Sequence, residues 1–296
     1  MRSRRSCLSV PASSAKMLAK ARSLPADEIV VDLEDSVTPD VKEEARSAAC
    51  AAITEDWGGR AVAVRVNGTG TEWWERDVTE LAKANRGALG SLVIPKCETA
   101  AQIDAVERLL EGAEDGIGFD GPRLGLQALI ETAAGLVRVG EIAGAGFRLE
   151  SMIVGYADLG ASLGRPPEGL YPGDRWHWVR ETVLVNARAA GLAAIDGPHL
   201  DVSDGEGLRS SALSARALGY DGKWAIHPSQ LDPLNEIFSP TQEEFERAHA
   251  VLEALEAAGE RGAVQLDGEM VDEASRKQAD QLIARGKAAG LGSTEA

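Results

Sequence analysis

The sequence predicts an α/β protein, a TIM (β/α)8 barrel followed by a small C-terminal helical lid or arm. Three observations carry the prediction. Eight short apolar runs alternate with amphipathic stretches along most of the 296 residues, the pattern of βα units that build a parallel sheet. The central runs show little in-and-out alternation, as expected of strands covered on both faces. Eight such units suit closure into a barrel, a fold of about 250 residues.

The runs lie at residues 7–10, 28–33, 61–66, 91–94, 124–130, 151–154, 193–195 and 223–226. Helical periodicity is clearest at 14–22, 41–53, 100–110, 175–190 and 206–218, while 112–122 is rich in Gly and Asp and reads as a connecting loop. The character changes after Phe238, which assigns 1–238 to the barrel and 239–296 to the arm. Within the arm, Ser239-Pro240 opens a charged helix over 241–258, a short segment follows at 262–268, and a last helix begins near Val271. A piece this small lacks a stable core unless it packs on something else. That favours a lid or subunit contact over a helix that merely closes the barrel bottom.

Composition narrows the function. The net charge of −16 disfavours nucleic acid, which needs a basic face. Cys7, Cys50 and Cys97 are odd in number and lack ligand or paired spacing, as expected in a reducing cytoplasm. No apolar stretch approaches the roughly 20 residues of a membrane span. The basic start, MRSRRSCLSVPAS, lacks the apolar region of an export signal and reads as mature protein.

Chemistry on this fold gathers at the C-terminal ends of the strands. There the sequence places Asp32, Glu34 and Asp35, then Arg65 and Asn67, then Pro95, Lys96 and Glu98, then Glu131, Asp158, Asp196 and His227. So many ionisable groups on one rim are hard to explain by stability alone, because charged groups are seldom buried unpaired. Glu131 and Asp158 end neighbouring strands and can share one divalent cation, since magnesium often takes only one or two protein carboxylates. Each acid serves equally well as a first-turn helix residue. Arg65 pairs either with the Asp32–Asp35 cluster or with a carboxylate substrate. Lys16 and Lys20, four apart on one helical face, suit phosphates or plain solvent. His227, before Pro228, reads more readily as a helix-terminus histidine than as a base. No glycine cradle for a nucleotide follows a strand.

The motifs SCLSVPASSAKMLAKA, VVDLEDSV, VRVNG, LVIPKCE, LIETAAG, GYADLG, AIDGP, GYDGKWAIHPSQ and DGEMVD occur in order over almost the whole chain. Together they resemble the citrate lyase beta subunit and malyl-CoA lyase family. The resemblance implies Mg2+ on Glu131 and Asp158, and Arg65 on the keto-acid portion backed by Asp32, Glu34 and Asp35. It implies Lys16 and Lys20 on coenzyme A phosphates, and Ile226 and His227 along the thioester arm. It also implies that Asp272 is a lid acid entering the site of an adjacent subunit in a homotrimer or hexamer. Ala12 stands where the family usually has glycine. The expected reaction is Mg2+-dependent carbon–carbon cleavage of a 3-hydroxy-carboxyacyl-CoA thioester, with acyl-CoA and keto acid as small-molecule partners. Thioester hydrolysis, malate-synthase-like chemistry and a non-catalytic acyl-CoA-binding subunit are the alternatives. A free-pyruvate aldolase is disfavoured by Lys16 and Lys20. The stretch 165–178 is the candidate lining of the acyl pocket.

Overall fold

The computed structural model describes residues 3–118, 120–166, 174–259 and 262–292. Strands Ser6–Pro11 (β1), Glu28–Asp32 (β2), Ala61–Arg65 (β3), Leu89–Ile94 (β4), Gly125–Ile130 (β5), Leu149–Val154 (β6), Ala193–Asp196 (β7) and Gly222–Ala225 (β8) pair in chain order. Every pairing is parallel, and β8 returns to β1 to close the barrel. All eight expected strands are present, displaced by a residue or two at their ends. The helices are Ala15–Ala21 (α1), Lys42–Ala52 (α2), Trp74–Ala84 (α3), Ala100–Gly116 (α4), Ala133–Val137 (α5), Val139–Ala143 (α6), Tyr156–Ser162 (α7), His177–Ala189 (α8), Gly205–Leu218 (α9) and Leu231–Phe238 (α10).

Side-chain parity explains the interior. Cys7, Val30, Ala63, Val93, Leu129, Ile153, Ile195 and Trp224, one from each strand, form a single buried cluster. Successive strand residues face opposite ways, so residues two before and two after these also face inward. The layer below is polar. Arg4 Nε donates to Glu28 Oε1 (3.0 Å), Gln127 Nε2 to Glu28 Oε1 (3.0 Å) and to Ser91 Oγ (2.8 Å), and Ser151 Oγ to Gln127 Oε1 (2.7 Å). The layer above contains Asp32, Arg65 and Glu131.

The loop expected over 112–122 is corrected in its first half, since α4 runs on to Gly116. Its last turn is anchored by buried Glu114, whose carboxylate accepts Arg123 Nη1 (2.8 Å), Arg148 Nη1 (2.9 Å) and the Leu124 N–H (3.1 Å).

The chain divides into two compact units, Arg4–Asn235 and a second one from Glu236 onward that also takes in Ser3, so the boundary falls inside α10. The second unit contains Gln242–Ala258 (α11), Ala263–Leu266 (β9), Glu269–Asp272 (β10) and Glu273–Ala288 (α12). The short segment at 262–268 is thus the first half of an antiparallel hairpin, and the last helix starts at Glu273, not near Val271, which is a strand residue. Asp267 (φ 50°) and Gly268 (φ 88°) make its two-residue turn, the Asp-Gly pairing favoured where both residues are left-handed. The unit has a hydrophobic cluster of its own: Phe245, Ala248, Val251, Leu255, Val271, Ala279 and Ile283. α12 approaches α11 closely because Gly286 lies flat against the Phe245 ring, where a Cβ has no room. Gly286→Ala is therefore expected to cost about 1–3 kcal/mol by overpacking. Hydrogen exchange should speed up in α11 and α12 and stay unchanged in the barrel strands.

Candidate active site

At the barrel mouth Arg65 reaches across from β3 to the end of β2. Its Nε donates to Asp32 Oδ1 and its Nη2 to Asp32 Oδ2, both at 2.7 Å, a two-pronged pair fixed in geometry as only a guanidinium allows. Burial would push the Asp32 carboxyl up, but the Arg65 bonds prevail and hold it below its ordinary value. Arg65 Nη1 also lies 3.1 Å from Glu34 Oε2 and 3.7 Å from Asp35 Oδ2. The first contact is off the hydrogen-bonding direction, so Glu34 Oε2 is buried without a hydrogen bond among the described residues. Lys42 Nζ closes this loop by donating to the Leu33 and Glu34 carbonyls, each at 2.7 Å.

Glu131 follows β5 and is 2% exposed. Its Oε1 accepts the Lys96 backbone N–H at 2.8 Å. On its other side is Gly155, where a Cβ would sit 2.6 Å from Glu131 Oε2. Glycine is thus needed at the end of β6 to leave space beside the carboxylate. Burial first, and then the nearby charge of Glu34, push the Glu131 carboxyl up to about 8. Asp158, in the first turn of α7, is half-exposed, and its Oδ1 lies 3.9 Å from Lys96 Nζ. Lys96 thus touches both acids, Glu131 through its backbone N–H and Asp158 through its ammonium.

Lys96 is a feature that reading the sequence placed on the rim without a role. Its ammonium pairs with Glu34 and lies 3.3 Å from Asp35 Oδ1. Its backbone is left-handed (φ 48°), which spacing in a sequence does not reveal. The mouth thus gathers five carboxyl groups, Asp32, Glu34, Asp35, Glu131 and Asp158, around two cations, Arg65 and Lys96.

Among the described residues, no group of three or more His, Cys, Asp or Glu side chains gathers as a metal cage. The residues fit a hard cation held by two carboxylates at most, the remaining positions going to water and substrate. The surplus of carboxylates, the gap at Gly155 and the upward push of burial on the Glu131 carboxyl all agree with that fit.

Other rim residues have structural roles. Asp196 has the parity opposite to the inward-facing Ile195, so it turns away from the mouth; it is buried with Lys223, accepting its Nζ (2.5 Å), and also accepts the half-buried Tyr156 hydroxyl. This corrects its place among the mouth groups. Asn67 is buried against Asp77, which accepts its Nδ2 at 2.6 Å. His227 accepts the Ser229 N–H through Nδ1 (3.2 Å) and caps the turn at Pro228–Gln230, while the Ile226 N–H donates to Gln230 Oε1 (2.8 Å). Lys16 and Lys20 are exposed on α1, whose N-cap Ser14 accepts from the Met17 N–H. Asp272 lies in the second unit as the N-cap of α12, with Oδ1 accepting the Ala274 (2.9 Å) and Ser275 (3.2 Å) N–H groups. Of the stretch 165–178, residues 167–173 lie outside the described residues.

With this geometry established, the likenesses to known proteins can be stated. The HpcH/HpaI aldolase/citrate lyase family model matches residues 5–228. An L-malyl-CoA/beta-methylmalyl-CoA lyase of Cereibacter sphaeroides is 39% identical over 291 residues, 92% of this chain and 91% of that one. A (3S)-malyl-CoA thioesterase of the same species is 38% identical over 289 residues, 96% of this chain and 95% of that one. Among solved structures, CitE of Mycobacterium tuberculosis in complex with magnesium, acetoacetate and coenzyme A superposes with a TM-score of 0.78 at 34% identity, covering 97% of this chain and all of that one.

The raised Glu131 value has a consequence for stability. Below about pH 4.5 the carboxyl is protonated in both folded and unfolded chains and contributes nothing. From there to about pH 8 the unfolded chain ionises while the folded one retains its proton, so stability falls by up to about 1.4 kcal/mol per pH unit. Glu131→Gln should remove this loss. Thermal unfolding of metal-free protein is expected to show the variant's gain in Tm growing between pH 5 and pH 8 and levelling off above. A gain that does not change with pH would mean Glu131 is ionised in the folded protein.

Proposed function

The chain belongs to the HpcH/HpaI aldolase/citrate lyase family, and from that premise we propose that it is a magnesium-dependent carbon–carbon lyase. It cleaves, or in reverse forms, a 3-hydroxy-carboxyacyl-CoA thioester such as malyl-CoA, giving acetyl-CoA and glyoxylate or a related keto acid. The observation that carries this reading is that Lys96 touches both acids, Glu131 through its backbone N–H and Asp158 through its ammonium, at the mouth where Arg65 is fixed on Asp32.

Glu131 and Asp158 would hold Mg2+, which when bound supplies Lewis-acid polarisation of the substrate's hydroxyl oxygen and orients its carboxylate. Asp32 sets the guanidinium plane of Arg65, and Nη1, which also lies 3.1 Å from Glu34 Oε2, would offset negative charge growing on that oxygen. In the cleavage direction the hydroxyl proton passes to solvent water at the mouth, the O–H electron pair forms the new C=O bond, and the C–C electron pair passes to the thioester side as an enolate. Asp272 then gives a proton to the enolate carbon, and in condensation takes one from it. Asp32, Glu34 and Asp35 hold Arg65 in position rather than touch substrate. Lys16 and Lys20 are assigned to the coenzyme A phosphates, and Ile226 and His227 to the thioester arm.

Asp272 belongs to the second compact unit, which supports its assignment as a lid acid delivered to the site of a neighbouring subunit in a homotrimer or hexamer. The three cysteines are free, and burial pushes the Cys97 thiol up to about 12 and Cys50 up to about 11. Inert thiols of this kind suit a cytoplasmic enzyme. Among the described residues no helix is long and apolar enough to cross a membrane.

The thioesterase relative favours one other reading, hydrolysis of the same thioester. Products separate the two. Purified protein with malyl-CoA and Mg2+ is expected to release acetyl-CoA and glyoxylate; free coenzyme A and malate would instead mean hydrolysis. Glu131→Ala is expected to lower kcat/KM by at least 1000-fold, and Asp272→Asn to lower kcat by about 100-fold or more with KM little changed, as fits a lost proton donor. Normal cleavage by either variant defeats that residue's assignment.

A further inference from the structure

Lys96 follows β4 in a left-handed backbone conformation (φ 48°). For a residue with a side chain this conformation costs about 1 kcal/mol or more, and glycine would adopt it freely. Strain retained at a functional mouth is reason to ask what the side chain does there. The backbone gains one thing that glycine would also supply, the N–H donated to Glu131 Oε1 at 2.8 Å. What glycine could not supply is the ammonium. It pairs with Glu34, lies 3.3 Å from Asp35 Oδ1 and 3.9 Å from Asp158 Oδ1, and is itself only about one-third exposed. Glu34 beside it is 9% exposed at its side chain. Arg65 Nη1 shares Glu34 and Asp35 with it, whereas Asp158 has its ion pair with Lys96, so without the ammonium these acids would repel one another across a partly desolvated cleft with only Arg65 to offset the first two.

We propose that Lys96 is a positioning residue that acts as a placeholder cation: its ammonium counter-charges Glu34, Asp35 and Asp158 when no metal is bound and yields Asp158 to the divalent cation when one enters. This inference rests on the reading of Glu131 and Asp158 as the magnesium pair. Two consequences follow from Coulomb's law at short range in a site of low water content. The ammonium and a divalent cation repel each other, so Lys96 weakens metal binding. It also keeps the acidic mouth assembled, so the metal-free protein is more stable with it than without it. A residue that only shaped the ligands would do the opposite to the metal, because losing it would scatter the carboxylates and loosen binding.

The test is direct measurement of Mg2+ binding, with Mn2+ as a spectroscopic stand-in, by titration calorimetry and by electron paramagnetic resonance of free Mn2+, with no substrate present. The proteins are the wild type, Lys96→Met, Lys96→Gly and Lys96→Arg. Lys96→Gly suits the left-handed backbone and keeps the N–H to Glu131, so it guards against misfolding of the methionine variant. Lys96→Met and Lys96→Gly are expected to bind Mg2+ at least tenfold more tightly than wild type. The metal-free Tm of Lys96→Met should fall, and in both variants the rise in Tm on adding Mg2+ should be larger than in wild type. Lys96→Arg should return affinity and Tm toward wild type. Unchanged or weaker Mg2+ binding in both neutral variants, with wild type binding normally, overturns the proposal and leaves the lyase reading intact. A wild type that binds neither Mg2+ nor Mn2+ overturns both.

Discussion

The structure depends on a constraint of the barrel strands: every second side chain must go inside, and the inside has little water. Both ends of this barrel nevertheless carry polar residues on the inward parity, and the two ends treat them differently. At the bottom, Arg4, Glu28, Gln127, Ser91 and Ser151 bond one another, so the layer is closed and close to neutral, with Glu28 Oε2 left without a partner among the described residues. Such a network fixes strand register and packing, and with all but one of its polar atoms paired it is tolerated in a core. At the top, carboxylates outnumber cations, burial pushes the Glu131 carboxyl up to about 8 despite Lys96 and Arg65 nearby, and Glu34 Oε2 lacks a hydrogen bond among the described residues. Stability alone would not select that arrangement. A cation and an anionic substrate entering from outside make sense of it, in agreement with the rule that barrel chemistry sits at the C-terminal face.

Glycine positions are part of the same constraint. Gly155 ends β6 on the inward parity, and a Cβ there would strike the Glu131 side chain. Gly135, in the turn of α5 after β5, faces the Cys97 carbonyl with no room for a Cβ, which lets the β4 and β5 ends approach. That approach brings the Lys96 N–H onto Glu131. The small-residue turn in LIETAAG is therefore a packing requirement of the carboxylate it follows, not only a helix start.

Much of this was legible in the sequence. The alternation of apolar runs and helices specified the barrel, and the strand ends specified Asp32, Arg65, Glu131 and Asp158 as mouth residues. The parity of Asp196 was harder to read. A three-residue apolar run does not fix which face its terminal acid takes, and the partner that turns it outward, Lys223, opens the next strand, where a lysine looks like a solvated end. Lys96 was visible as a residue but not as a device, because its role comes from a left-handed backbone and from acids on three other strand ends. The hairpin of the second unit was readable in principle. AVQL-DG-EMVD has the strongest short-range hairpin signal, Asp-Gly between two short strands, but it lies in a charged stretch between helices that masks it. The continuation of α4 past Gly112 was hidden because composition marks glycine as a breaker, whereas the Glu114 bonds to Arg123, Arg148 and Leu124 hold the turn.

The placement of Asp272 follows from the same hairpin and bears on how a proton reaches carbon. Carbon protonation needs its donor in line with the reacting centre, and small misplacements are costly. Asp272 meets this locally: Oδ1 is engaged by the Ala274 and Ser275 N–H groups, and the Ser275 Oγ accepts the Asp272 N–H at 3.2 Å, a capping box that fixes the plane of the carboxylate. With Oδ1 so occupied, Oδ2 is the oxygen left for the role proposed for Asp272. The hairpin beneath is pinned in turn by Arg247, which pairs with Asp267 and lies 3.1 Å from Glu269 Oε2. Val271, one residue before the acid, is buried in the unit's own cluster. The acid is thus held rigidly within a body that has its own core. In the proposed mechanism, accuracy at carbon then depends on docking that body as a unit rather than on ordering a flexible loop at each turnover.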